Sequence, residues 1–92
     1  DALPAESRTV TQALGQLRRV LARRSYQGLL RVLSPRTRTM IEEDLRSLVR
    51  GLEQPEALPV ESVGNTATVE VPGGHFVRLR RTDGVWHVED FD

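Results

Sequence analysis

Cysteine is absent from this sequence, and so is lysine. Without cysteine there is no disulfide framework, no thiolate nucleophile and no cysteine-ligated zinc site; the redox compartment stays open. Without lysine there is no P-loop lysine and no Schiff-base chemistry. All 13 basic residues are arginine. Aromatics make up only 4%, and the arginine-rich half has Tyr26 alone for stacking on bases. No apolar run approaches the roughly 18 residues of a membrane-spanning helix. The start also lacks the basic-then-apolar pattern of a signal peptide.

What is present suits one small globular unit. A chain of 92 residues buries only about 60–65% of its unfolded surface, so one modest core is the limit. A single domain over 1–92 is expected, with a helical half at 5–53 and a sheet half at 57–92. The net charge is zero but unevenly spread. Between Ser7 and Ile41 lie Arg8, Arg18, Arg19, Arg23, Arg24, Arg31, Arg36 and Arg38 with no acid, whereas the acids dominate after Gly51. A basic half can meet an anionic partner or simply form a solvated helix face. The chain begins at Asp1 rather than methionine, which is compatible with removal of an upstream leader or tether.

Val10, Leu14, Leu17 and Leu21 recur at helical spacing after Pro4, with Arg19 and Arg23 on the opposite side. Ser25 interrupts, and Tyr26, Leu29, Leu30 and Leu33 predict a second, shorter helix weakened by Gly28. Ser34-Pro35 ends it. Thr39 followed by Glu42 has the capping-box pattern and sets the expected start of a third helix through Ile41, Leu45, Leu48 and Leu52. Gly51 and Pro55 bracket its end.

From Ala57 the period changes to two. The spacing predicts strands at Leu58–Val63, Thr66–Val71, His75–Thr82 and Val85–Phe91, joined at Gly64-Asn65, Pro72-Gly73-Gly74 and Asp83-Gly84. Each turn fixes a register, and a one-residue slip would reverse the faces. All three turns place Leu58, Val60, Ala67, Val69, Val71, Val77, Leu79, Trp86 and Val88 on one face. Arg78 then stands opposite Glu89, and His87 opposite Arg80 on the other face. The expected core is Trp86, Val88, Leu79, Val77 and Val69 from the sheet with Leu14, Leu17, Leu45 and Leu48 from the helices. The fold class is α+β: three N-terminal helices packed on one face of a curved four-stranded antiparallel meander.

Two stretches carry a family resemblance. RTVTQALGQLRRVLARRSYQGLLRVLSP resembles the opening helices, and RLRRTDGVWHVEDF the closing hairpin, of the nuclear-transport-factor-2-like (cystatin-like, cone-shaped α+β) superfamily. The likeness is to its small bacterial secreted or lipoprotein members of unknown function. It implies a curved sheet and helices enclosing a cone, which binds ligands in some members and is plugged in others. It also implies a periplasmic or otherwise extracytoplasmic setting. The superfamily includes isomerases, dehydratases and plain interaction modules, so the fold does not select a function.

The residues that would carry chemistry are His75, Asp90 and Tyr26. The drawn register makes His75 and Asp90 diagonal neighbours on the helix-facing rim, about 7–8 Å apart. A carboxylate holding one histidine nitrogen is what a general acid–base pair needs, and enzymatic relatives often use His and Asp inside the cone. No complete catalytic set is recognisable, no cofactor is implied, and the two histidines on opposite faces argue against a metal. The outer face carries Phe76 and Phe91 opposite one another, with Val63, Arg78 and Arg80 on the same surface. Exposed paired aromatics mark an interface.

The sequence therefore reads as a non-enzymatic interaction or accessory domain that binds a protein partner, or itself as a homodimer, through that face. A small-ligand-binding or isomerase-like cone using His75 and Asp90 is the alternative, with a small molecule as partner. A third reading gives the arginine-rich helices an anionic partner. Nucleic acid is disfavoured by the missing aromatics, and membrane contact is expected only through a tether upstream of Asp1.

Overall fold

The computed structural model describes residues 9–23 and 26–92. Residues 5–8 of the expected helical half, and Ser25 with its expected interruption, lie outside the described residues. Helix α1 spans Val10–Ala22. Thr9 takes extended backbone and its hydroxyl accepts the Gln12 amide at 3.1 Å, while Gln12 Oε1 accepts the Thr9 amide at 3.3 Å. This reciprocal box satisfies two donors that the first turn would leave free. Ala13, Leu14, Leu17 and Leu21 form its buried stripe. Helix α2, Gln27–Leu30, is one turn that buries Leu30.

Helix α3 runs Pro35–Gly51, which corrects the expected start at Thr39. The Ser34 hydroxyl accepts the Thr37 amide at 3.3 Å. Pro35 stands in the first turn, where a missing N–H costs nothing and the fixed φ favours a helix. Ser34-Pro35 thus starts α3 rather than ending α2, which stops at Leu30, and Thr39 lies inside α3. At the other end Gly51 touches the sheet. A Cβ there would lie 2.5 Å from Val71 Cγ1 and 2.8 Å from the Pro72 carbonyl, so only glycine lets the helix approach so closely.

A 3₁₀ turn at Pro55–Ala57 leads into β1 (Val60–Val63), followed by β2 (Thr66–Val71), β3 (His75–Thr82) and β4 (Val85–Phe91). The sheet is antiparallel throughout, in the order β1-β2-β3-β4. The first strand is shorter than the expected Leu58–Val63, and the Leu58–Val71 pair does not form. Pro59 accounts for this: its carbonyl accepts the Glu70 amide at 3.3 Å, but proline has no N–H to return. The β2–β3 register is the one the loop at 72–74 requires, with Ala67 opposite Leu79 and Val69 opposite Val77. Asp83 and Gly84 both take positive φ, 54° and 78°, the twisted two-residue turn that matches a hairpin.

The last hairpin departs from the expected register. Leu79 pairs with Val88, yet Arg78 pairs with Asp90 and Val77 with Phe91, so Glu89 is an extra residue on β4. A bulge of this kind reverses the faces of everything beyond it. Glu89 therefore does not stand opposite Arg78, and Phe91 moves to the core face while Phe76 stays on the outer one. The core cluster joins Ala13, Leu14, Leu17 and Leu21 of α1 and Leu48 and Leu52 of α3 to Ala67, Val69, Val71, Val77, Leu79 and Trp86 of the sheet. Leu45 and Val88 pack against its edge.

Candidate functional site

His75 opens β3 on the core face and is buried. Its Nδ1 lies 3.0 Å from the main-chain oxygen of Asp92 and its Nε2 lies 3.1 Å from Ser47 Oγ. A carbonyl oxygen only accepts, so Nδ1 carries the proton in the neutral ring and Nε2 accepts from the serine hydroxyl. The ring thereby ties the last turns of α3 to the end of β4. Gly73 makes room for the serine: a Cβ there would sit 2.8 Å from Ser47 Oγ.

The expected chemical trio is not brought together. Asp90 pairs with Arg78 on the outer face, so the sheet separates it from His75. The bulge at Glu89 is the reason, because it turns Asp90 outward and Phe91 inward. Tyr26 lines a different concavity, with Leu21, Ala22, Arg46 and Val49. Phe91 instead joins His75, Ile41, Leu45 and Leu48 around a cleft of about 220 Å³. Among the described residues, no group of three or more His, Cys, Asp or Glu side chains is placed to hold a metal, and no helix is long and apolar enough to cross a membrane.

The outer face of the sheet is where exposed apolar and charged groups combine. Phe76 is 40% exposed and Val63 74%. Phe76 pairs with Glu70 on one side and exchanges backbone hydrogen bonds with Asp92 on the other. Phe91, expected opposite it, lies across the sheet, so the expected aromatic pair does not exist. Arg78 binds both Asp90 and, at 3.1 Å, Asp92. Those hydrogen bonds, Asp92 first, raise its guanidinium above the ordinary value. Arg80 binds Glu89 at 3.0 Å. Both arginines of this face are thus committed to acids on β4. Among the described residues, Glu61 and Glu70 take part in no ion pair, so the face keeps a residual negative charge around Phe76.

Trp86 sits in the core, 7% exposed. The Arg81 guanidinium lies 5.3 Å from its ring centroid and donates to Asn65 Oδ1 at 3.1 Å from Nε and 3.0 Å from Nη2. The cation–π contact covers the ring face, and the two hydrogen bonds tie the Gly64-Asn65 turn to β3.

Comparisons of the chain with known protein families, curated proteins and solved structures find no match.

Proposed function

We propose that this chain is a non-enzymatic interaction domain of the nuclear-transport-factor-2-like type, with its helices covering one face of a curved, cone-forming sheet. It binds a basic protein segment through the opposite face. The carrying observation is Phe76, an exposed aromatic near one end of a face whose own arginines are already neutralised by acids. An apolar anchor within a negative surround fits a partner with arginine or lysine flanking a hydrophobic side chain. Two copies apposed through this face would bring like charges together, which argues for a different partner rather than a homodimer.

The spacing of exposed apolar groups refines the partner. Phe76 and Val63 are two strands apart and displaced by four positions along β2, which places them roughly 16 Å from each other. An extended segment spans that distance in about five residues. The superfamily reading is supported by the order of helices before meander and by the indole buried just after the Asp83-Gly84 turn. The separation of His75, Asp90 and Tyr26 removes the motive for an isomerase-like reading built on them.

The test is fluorescence anisotropy with a synthetic peptide carrying two phenylalanines four positions apart, on one side of an extended chain, with arginines between them. The wild-type chain should bind it, while Phe76→Arg and a peptide with glutamates in place of arginines should both abolish binding. Equal binding of the basic and acidic peptides, or no loss with Phe76→Arg, overturns the proposal.

A further inference from the structure

Helix α1 and the 3₁₀ turn bound a concavity of about 400 Å³, lined by Gly15, Arg18, Arg19, Ala22, Arg23, Glu53 and Pro55. We infer that this concavity binds a phosphate monoester, with the three guanidinium groups on the phosphate oxygens. The inference stands apart from the sheet-face reading, since it uses none of the same residues.

Four observations converge on it. Among the described residues, every ion pair belongs to the sheet, so Arg18, Arg19 and Arg23 line one concavity without any of them being paired to a described carboxylate. Arg19 and Arg23 are like charges at i,i+4, a spacing that weakens a helix. Their place near its C-terminal end recovers some of that through the helix dipole, but Arg18 has a further problem. Its Nε is buried with no hydrogen-bond acceptor among the described residues, an arrangement folded proteins rarely leave unsatisfied.

Gly15 is the third observation. A mid-helix glycine weakens a helix relative to alanine, and it is kept here without a packing reason, because a Cβ at Gly15 would meet nothing within 4 Å. With Ala22 two turns along, it leaves an open floor between the arginines. The fourth is charge. Three guanidinium groups against the single Glu53 carboxylate leave a formal +2, which matches a phosphate monoester dianion. Arginine forks bind such oxygens in pairs of charge-assisted hydrogen bonds. The space exceeds a bare phosphate, and Glu53 can accept a hydrogen bond from a hydroxyl or amino group on the attached organic part.

Isothermal titration with glycerol 3-phosphate, alongside vesicles of phosphatidylcholine with and without phosphatidic acid, tests this and separates a soluble ligand from a lipid headgroup. The inference predicts saturable binding of glycerol 3-phosphate at one site per chain. Affinity should fall about tenfold or more in Arg18→Gln and be lost in Gly15→Leu, a helix-compatible substitution that fills the floor. It should rise in Glu53→Gln, where a repelling charge is removed. Additional binding to phosphatidic acid vesicles that glycerol 3-phosphate displaces extends the ligand to the lipid headgroup. No binding of glycerol 3-phosphate, unchanged binding in a folded Gly15→Leu, or vesicle or duplex DNA binding without it, each overturns the inference.

Discussion

Ser47 on α3 and His75 on β3, separated by 28 positions in sequence, meet at 3.1 Å through Oγ and Nε2. The other ring nitrogen of His75 holds the Asp92 main-chain oxygen at 3.0 Å. One imidazole thus fastens the end of the last strand to a helix, and both of its nitrogens are satisfied in a buried position.

Removing either partner leaves a buried polar atom without its mate. Ser47→Ala and His75→Gln should each lower stability by about 1–3 kcal/mol. Because they act on one network, the double variant should lose clearly less than the sum. Urea denaturation midpoints at constant slope measure this, and strict additivity would show that the two side chains are not coupled.

Two helical glycines are predicted to respond with opposite signs. Gly51→Ala puts a Cβ 2.5 Å from Val71 Cγ1 and 2.8 Å from the Pro72 carbonyl, an overpacking expected to cost about 1–3 kcal/mol. Gly15→Ala meets open space and should stabilise the chain by about 0.5–1 kcal/mol through helix propensity. Thermal melts of the pair decide the matter; equal effects would contradict the packing of α3 against the β2–β3 turn.

Trp86 is the lone indole, so its fluorescence reports on the core. Its emission should be blue-shifted and poorly quenched by acrylamide in the native protein, moving red on unfolding. Trp86→Ala should cost about 3–5 kcal/mol. Arg81→Ala should increase quenching while leaving the fold intact, because it removes the cation 5.3 Å from the ring. Native emission already at the solvent-exposed wavelength would contradict the burial of that ring.

The bulge at Glu89 yields a further prediction. In the observed register Phe91 lines the cleft with His75 and Leu45, so Phe91→Ala should destabilise the chain more than Phe76→Ala, despite their similar exposures of 37% and 40%. Equilibrium unfolding compares them directly. The reverse order would restore the unbulged hairpin.

Much of the sheet was legible because its turns carry their own chemistry. Asp83-Gly84 specifies a two-residue hairpin, and alternation on β2 and β3 leaves one register that keeps Val69, Val77 and Leu79 together. The bulge was only faintly legible. In VWHVEDF the alternation fails after Val88, where two acids precede Phe91, but no glycine marks the extra residue, and the shift is fixed only where Arg78 meets Asp90 and Asp92. That one residue undid both candidate pairings, His75 with Asp90 and Phe76 with Phe91. The helix starts were half legible: Thr9 and Gln12 carry a capping box that a search anchored on Thr39 overlooks, and Ser34-Pro35 reads equally as a stop or a start. Ser47 gave no local signal, because its partner comes from a distant strand.

The proposed role rests on where a basic partner lands. Amide chemical shifts of the isotope-labelled chain, followed during titration with the arginine–phenylalanine peptide, show that most directly. Perturbations should centre on Glu70, Phe76 and Arg78 and extend toward Val63, leaving α1 unmoved. Changes centred on the helices, or spread evenly over the molecule, would contradict a binding function for the outer sheet face.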